Sequence, residues 1–269
     1  MAMGSGIPTT ALCKADRASI TVRDRDFCND LIGGMSLSAF MLFHWTGREA
    51  TPAEAAMLDA LIIAITEHGL APTAIAARMT YASGPEALQA AVAAGILGAG
   101  SVVLGSAAQC ADLLVAGVEQ VMAGAAAGPV ARALIEGEIA AGRKLAGFGH
   151  PLHKPADPRA VRLLTLADEL GIAGAHVALL RTLAPIADSL HEKPLVMNVQ
   201  APIAAIGLDM GLPPFLTRAI PILARAIGVI GHIAEEAENP IGFALAMQAN
   251  QAVRYREADG STTPLHRFE

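Results

Sequence analysis

The sequence predicts an all-α globule, and three observations carry that expectation. Hydrophobic residues make up 53% of the 269 residues while aromatics make up only 4%. A core built mainly from Ala, Leu, Ile and Val favours close-packed helices over a β-sandwich. Apolar residues recur at helical spacing along most of the chain, with Gly and Pro punctuating short joins. Strand signals are confined to a brief alternation around Ile20 and Val22, which predicts a short N-terminal hairpin.

The elements follow in order. Ser36 is placed to cap a helix running through Phe43. Thr51-Pro52-Ala53-Glu54 supplies an N-cap, a proline at the first helical position and an acid in the first turn. Met57, Leu58, Leu61, Ile62 and Ile65 then recur at helical spacing, and the helix is expected to stop at His68-Gly69, where glycine suits a C-terminal cap. Further helices are expected from about Pro85, Ser106, Pro129, Asp157, Gly174, Pro213 and Ile230, with a last one over 241–254. That gives about ten to twelve helices. The tail READGSTTPLHRFE is polar and expected to be loose in part.

A net charge of -6 argues against a general nucleic-acid binder, because phosphate neutralisation needs a basic face. It leaves room for a small anion held by a few cations. Cys13, Cys28 and Cys110 form no CxxC pair, so free thiols in a reducing cytoplasm are expected. The uncharged run 87–111 is long enough to span a bilayer, yet it holds Gln89, Ser101, Ser106, Gln109 and four glycines. It reads as buried helix and turn in a soluble protein with no membrane partner. MAMGSGIPTTALCKADR lacks an apolar core of signal-peptide length.

Chemistry concentrates in GFGHPLHKPADPR, 147–159. Asp157 can cap a helix that Pro158 opens, which places Arg159 in a first turn whose unpaired N–H groups already favour an anion. Arg159 would add a carboxylate clamp; a capped helix with a solvated arginine is the plainer alternative. Lys144, His150, His153 and Lys154 gather at the same helix entrance, and Gly147 and Gly149 allow close approach of a ligand. The set suits phosphates or a di- or tricarboxylate. His150 and His153 have HxxH spacing, but Pro151 intervenes and no acid is adjacent, so no metal is expected. His68 closes an apolar helix, either capping backbone carbonyls or meeting a ligand. Arg225 is a cation in the apolar run PILARAIGVIGHIAEE and needs a partner, either Glu235 or Glu236 or a bound carboxylate.

GFGHPLHKPADPRA resembles the signature of the citrate synthase superfamily, in the form seen in its short members, the citryl-CoA lyases. TPAEAAMLDALIIAITEHG, LVMNVQAPIAAIGLDMGLP and LARAIGVIGHIAEEAENPIGFAL resemble further family segments, in the right order over about 20–249. The resemblance implies one citrate synthase-like helical domain. Its larger part would cover about 1–104 and 208–269, and a smaller mobile part of about 105–207 would close over the ligands. It also implies a homodimer and a coenzyme A thioester as substrate, with no permanently bound cofactor.

By the same resemblance, His68 and His150 would contact the keto or hydroxyl end of an oxaloacetate or citryl group, and Arg159 and Arg225 would clamp its carboxylates. The backbone of Leu145, Ala146 and Gly147 would receive coenzyme A, Lys154 would meet its phosphates, and Asn198 would lie beside the thioester. Three positions depart from the family pattern. Leu104 stands where synthases carry an enol-stabilising histidine, Gln200 where they carry the catalytic aspartate, and Asn239 where relatives often carry an arginine. Leucine donates no hydrogen bond, and an amide cannot take a proton at neutral pH. The implied activity is cleavage of citryl-CoA, or a related 3-hydroxyacyl-CoA, to acetyl-CoA and oxaloacetate or an analogous 2-oxo acid. His150 or His68 would be the remaining proton acceptor, and Gln200 would hold the thioester carbonyl. A non-catalytic acyl-CoA or dicarboxylate binder is the alternative, ahead of a citrate synthase.

Overall fold

Local capping signals set the first helices. A computed structural model describes residues 7–100, 104–150, 152–191 and 195–265. The expected hairpin is present as β1 (Cys13–Ala15) and β2 (Ile20–Val22), extended by a short β3 (Arg25–Asp26), all antiparallel. Ser36 accepts a hydrogen bond from the amide of Ala39 and opens α1 (Leu37–Thr46). Thr51 and Glu54 form a reciprocal capping box at the start of α2 (Pro52–Thr66), satisfying two amides that would otherwise lack partners.

Then come α3 (Pro72–Ser83), α4 (Leu88–Leu97), α5 (Ser106–Met122), α6 (Ala127–Ala140), α7 (Pro158–Glu169), α8 (Ala175–Leu190) and α9 (Gln200–Asp209). The chain continues through the single turn α10 (Pro214–Thr217), α11 (Ala219–Glu238) and α12 (Gly242–Ala252). It closes with a small hairpin, β4 (Arg254–Arg256) and β5 (Thr262–Pro264), which begins where the last helix was expected to end and runs into the tail expected to be loose in part. Twelve α-helices thus lie among the described residues, and the fold is all-α as expected.

Several boundaries differ from expectation, each for a physical reason. Helix α2 ends at Thr66, not at His68-Gly69: Glu67 is already extended (φ -121°, ψ 141°). Gly69 (φ +72°) sits in the turn that follows. Helix α11 starts at Ala219 and runs straight through Ile230, where a new helix was expected. Its Gly228 is a packing contact, not a break. A Cβ there would lie 2.3 Å from the carbonyl oxygen of Thr66, so glycine lets α11 cross the end of α2. Helices α3 and α9 carry no sequence expectation. In α9 every residue from Gln200 to Leu208 is buried, so no polar face gives the segment a helical period. In α3 the inward positions include Ala74 and Ala77, too small to register as an apolar stripe.

The main core gathers Leu42, Met57, Leu58, Leu61, Leu114, Leu180, Leu183, Ile203 and Ile206 around α9. Leu58 and Leu61 are wholly buried, and truncating either to alanine should cost about 2–5 kcal/mol. The segment 214–238 is apolar and long enough to cross a membrane by composition. Here it packs against α2, α3 and α4 and turns Ile220, Ala224, Val229 and Ile233 inward. The run 87–111 supplies α4 and the first turns of α5, as the helix-and-turn reading expects; its residues 101–103 lie outside the described set.

Candidate active site

The start of α7 is built by one carboxylate. Asp157 is wholly buried and accepts from the backbone amides of Arg159 (3.0 Å) and Val199 (3.1 Å). Its two oxygens also take Nε (3.0 Å) and Nη2 (2.8 Å) of Arg159. Burial alone would raise the Asp157 pKa, but the guanidinium and the amides outweigh it and hold the carboxyl below its usual range. Arg159 is therefore an oriented fork: the edge formed by Nε and Nη2 is gripped by Asp157, and the residue lines the cavity described below.

The loop before α7 is pinned to the segment before α9. The amide of Gly149 donates to Val196 (2.7 Å), that of Asn198 donates to Gly147 (2.9 Å), and Phe148 and Met197 form a β-bridge. Asn198 adds a bond from Nδ2 to the carbonyl of Gly149 (3.0 Å), and its Oδ1 receives the amide of Gln200 (3.0 Å). These ties place His150 beside the first turn of α9.

His150 has a defined tautomer. Its Nδ1 accepts from the amides of Leu152 (3.1 Å) and His153 (2.9 Å), so the neutral ring carries its proton on Nε2. That Nε2 lies 3.4 Å from Nη2 of Arg159. Two donors side by side suit an oxygen anion or a polarised carbonyl. Burial, then the neighbouring His153, lowers the His150 pKa; burial, then Arg159 and His153, lowers that of His68. Both rings therefore favour the neutral form at neutral pH.

His68, just past α2, completes a cluster of three imidazoles. Its Nε2 lies 3.4 Å from Nε2 of His153, and its ring centroid is 5.3 Å from that of His150. One ring nitrogen from each of His68, His150 and His153 falls within 4.8 Å of the others, a set that could hold a metal ion. The tautomer argues against that use. A metal on Nε2 of His150 would require the proton on Nδ1, where it would face two amide N–H groups.

Arg225 arrives from α11, one turn before the Gly228 crossing. It is 4% exposed, and neither its Nε nor its Nη1 has a hydrogen-bond partner among the described residues. The sequence alternative of an ion pair with Glu235 or Glu236 does not hold, because both carboxylates bind Arg78 (2.6 and 2.7 Å). Glu67 acts on Arg225 only through its field, its carboxylate being hydrogen-bonded to His232 (3.2 Å). Burial pulls the Arg225 pKa below its ordinary value.

These groups meet in one cavity of about 310 Å³, lined by His68, Leu104, His150, Arg159, Gln200 and Arg225, with Ser106 and Asn198 on the same wall. Leu104 is 1% exposed and presents only hydrocarbon, while Gln200 is 7% exposed at the start of α9. A separate hollow of about 640 Å³ is lined by Gln109, Asp112, Arg143, Lys144 and Ala146. Of the residues matched to coenzyme A, Ala146 lines that hollow and Asn198 the smaller cavity. The Leu145 side chain is buried in the core. Gly147 packs on Ala201 and Cys110, and Lys154 is exposed. Asn239 caps α11, and its carbonyl accepts from Arg78 (3.1 Å). Sequence reasoning missed Ser106 as a cavity residue and Asp157 as the support of Arg159. The D-P-R spacing carried the second signal; nothing local carried the first.

Residues 10–243 match the family model "Citrate synthase, C-terminal domain". The chain belongs to the citrate synthase family. A citryl-CoA lyase from Hydrogenobacter thermophilus superposes with a TM-score of 0.82 at 27% identity, covering 94% of this chain and 96% of that one. A citrate synthase from Thermoplasma acidophilum, solved with carboxymethyl coenzyme A and oxaloacetate, gives a TM-score of 0.62 at 20% identity, over 76% of this chain and 54% of its own. At that identity the likeness is one of fold. Among curated relatives, "Putative citrate synthase 2" of Mycobacterium tuberculosis (strain ATCC 25618 / H37Rv) is 30% identical over 206 residues, 75% of this chain and 52% of the relative. The chain spans about half the length of the curated relatives it matches. Within the citrate synthase family, its proportions match those of the lyase.

Proposed function

We propose that the protein is a citryl-CoA lyase-type carbon–carbon lyase that cleaves citryl-CoA, or a related 3-hydroxyacyl-CoA, to acetyl-CoA and oxaloacetate or an analogous 2-oxo acid. The observation that carries this reading is Arg225. A buried guanidinium with two nitrogens lacking partners among the described residues is costly unless an anion completes it. It faces the same cavity as Arg159 and the Nε2–H of His150. Two guanidinium groups and an imidazole donor fit a small polycarboxylate with an oxygen to be polarised. The near-complete mutual coverage with the Hydrogenobacter lyase supports the same class.

In this reading Arg159 and Arg225 hold the carboxylates, and His150 donates to the oxygen that becomes the keto group. His150 is therefore a donor, which leaves His68 to take the proton of the tertiary hydroxyl. The C–C electron pair leaves with the thioester as an enolate, and that carbon takes up the proton held on His68, directly or through water, to give acetyl-CoA and restore neutral His68. Gln200 meets the thioester oxygen through its amide. Coenzyme A would lie along the hollow bounded by Arg143, Lys144 and Ala146. The part of about 105–207 would close over it, in a homodimer. Turnover of citryl-CoA, or of other 3-hydroxy-3-carboxyacyl-CoAs, followed by acetyl-CoA and oxo-acid release, tests the reading; no turnover of any of them refutes it.

Gln200 and Leu104 favour a second reading, a non-catalytic acyl-CoA or dicarboxylate binder, because neither can do the acid–base or enol-stabilising work of the residues they replace. Calorimetry separates the two: micromolar binding of coenzyme A and a dicarboxylate without turnover supports the binder. Thiol release from acetyl-CoA and oxaloacetate would instead reveal a citrate synthase.

A further inference from the structure

His153 is absent from the cavity wall formed by His68, His150 and Arg159, yet it touches both working imidazoles. Its ring lies against that of His150 with centroids 4.4 Å apart and planes 32° from parallel. It meets His68 edge-on, at 5.5 Å and 87°, with the two Nε2 atoms 3.4 Å apart. Its own amide is one of the two donors that fix the His150 tautomer. A contact between two imidazole nitrogens holds one proton: one nitrogen donates and the other accepts. A proton added to the accepting nitrogen would set two N–H groups against each other at 3.4 Å and place a positive ring in the field of the Arg159 guanidinium. The nearby carboxylate of Asp157 already grips Arg159 with both oxygens.

We propose that His153 is a positioning residue that keeps His68 neutral and in one tautomer and braces the ring of His150 across its face. This rests on the lyase reading for its consequence in catalysis, though its structural content does not. The charged and titratable groups acting on the pair are Arg159, Asp157 and the three imidazoles themselves, with Arg225 across the cavity. A side-chain amide at position 153 can hydrogen-bond His68, and leucine cannot. Neither can become charged.

The test compares wild type, His153→Gln and His153→Leu by citryl-CoA kinetics from pH 5.5 to 9, and by NMR titration of the histidine rings in ligand-free protein. His153→Leu should lower kcat at least tenfold with KM within about twofold, and His153→Gln should recover most of that loss. In both variants the His68 midpoint and the acid limb of kcat should move to higher pH, because the neighbour that opposes protonation is gone. Unchanged midpoints in both variants, or equal loss of kcat in both, overturn the proposal. If wild type turns over no acyl-CoA, the lyase reading fails and NMR alone decides. A raised His68 midpoint in both variants then sustains the positioning role, and an unmoved one ends it.

Discussion

Asp157 and Arg159 stand two residues apart, and the carboxylate of the first holds the guanidinium of the second by two hydrogen bonds of 2.8 and 3.0 Å while also anchoring the backbone of Val199. One buried acid thus aims a cavity-facing arginine and ties α7 to α9. Asp157→Ala should lower stability by about 3–5 kcal/mol, since it strips the partner from a largely buried charge. Removing the exposed Arg162–Glu169 pair should change it by less than about 1 kcal/mol. Urea denaturation of the two variants measures the difference.

Arg225 should show the opposite balance. Arg225→Met removes a buried charge whose Nε and Nη1 have no hydrogen-bond partner among the described residues, so the ligand-free protein should melt a few degrees higher. The same change should weaken binding of oxaloacetate or citrate by about 2–5 kcal/mol, the range for losing one partner of a desolvated charge pair. Calorimetry on wild type and variant reads both effects.

The pH dependence has a definite sign. The pKa values of His68 and His150 both lie below the ordinary 6.5, pulled down by burial and by neighbouring cationic groups. Below 6.5 the unfolded chain binds more protons than the folded one, so their stabilising contribution is present above about 6.5 and lost as pH falls toward the folded values. The acid limb of kcat/KM should likewise lie below pH 6.5. A limb above that value would contradict the neutral cluster.

Gln200 sits at the first position of α9, inside the cavity wall. Gln200→Asp restores a carboxylate where the family normally has one and should raise citryl-CoA turnover, on the order of 100-fold or more if proton transfer limits the rate. Steady-state rates decide this, with the Asn198 Oδ1 contact to the Gln200 amide preserved by the substitution.

Gly147 has φ +82°, and a Cβ there would fall 2.7 Å from the Cβ of Ala201 and 3.1 Å from Sγ of Cys110. Gly147→Ala should therefore destabilise by at least about 1–3 kcal/mol, from strain and overpacking together. Burial pushes the Cys110 thiol up to about 12, so it should resist alkylation in native protein while the exposed Cys13 and Cys28 react. Mass spectrometry after brief labelling checks this.

Much of this molecule could be read from residue order alone. The capping box at Thr51, the cap at Ser36 and the Asp157-Pro158 helix start are local signals that act through neighbouring backbone amides. The same holds for the cation-rich 147–159 segment, whose composition marks it without a partner in view. Helix α9 stayed hidden because burial on every side erases periodicity, and the Gly228 crossing looked like a break because its neighbour lies about 160 positions away in the chain. Residue order named His68, His150, Arg159 and Arg225 as cations near apolar helices. Only the tertiary structure decided that Arg225 has no carboxylate in hydrogen-bond reach among the described residues, that Arg159 already has one, and that two backbone amides make His150 a donor. Those outcomes depend on which charges are brought within hydrogen-bond reach once water is excluded, and that distance is set by packing between distant segments.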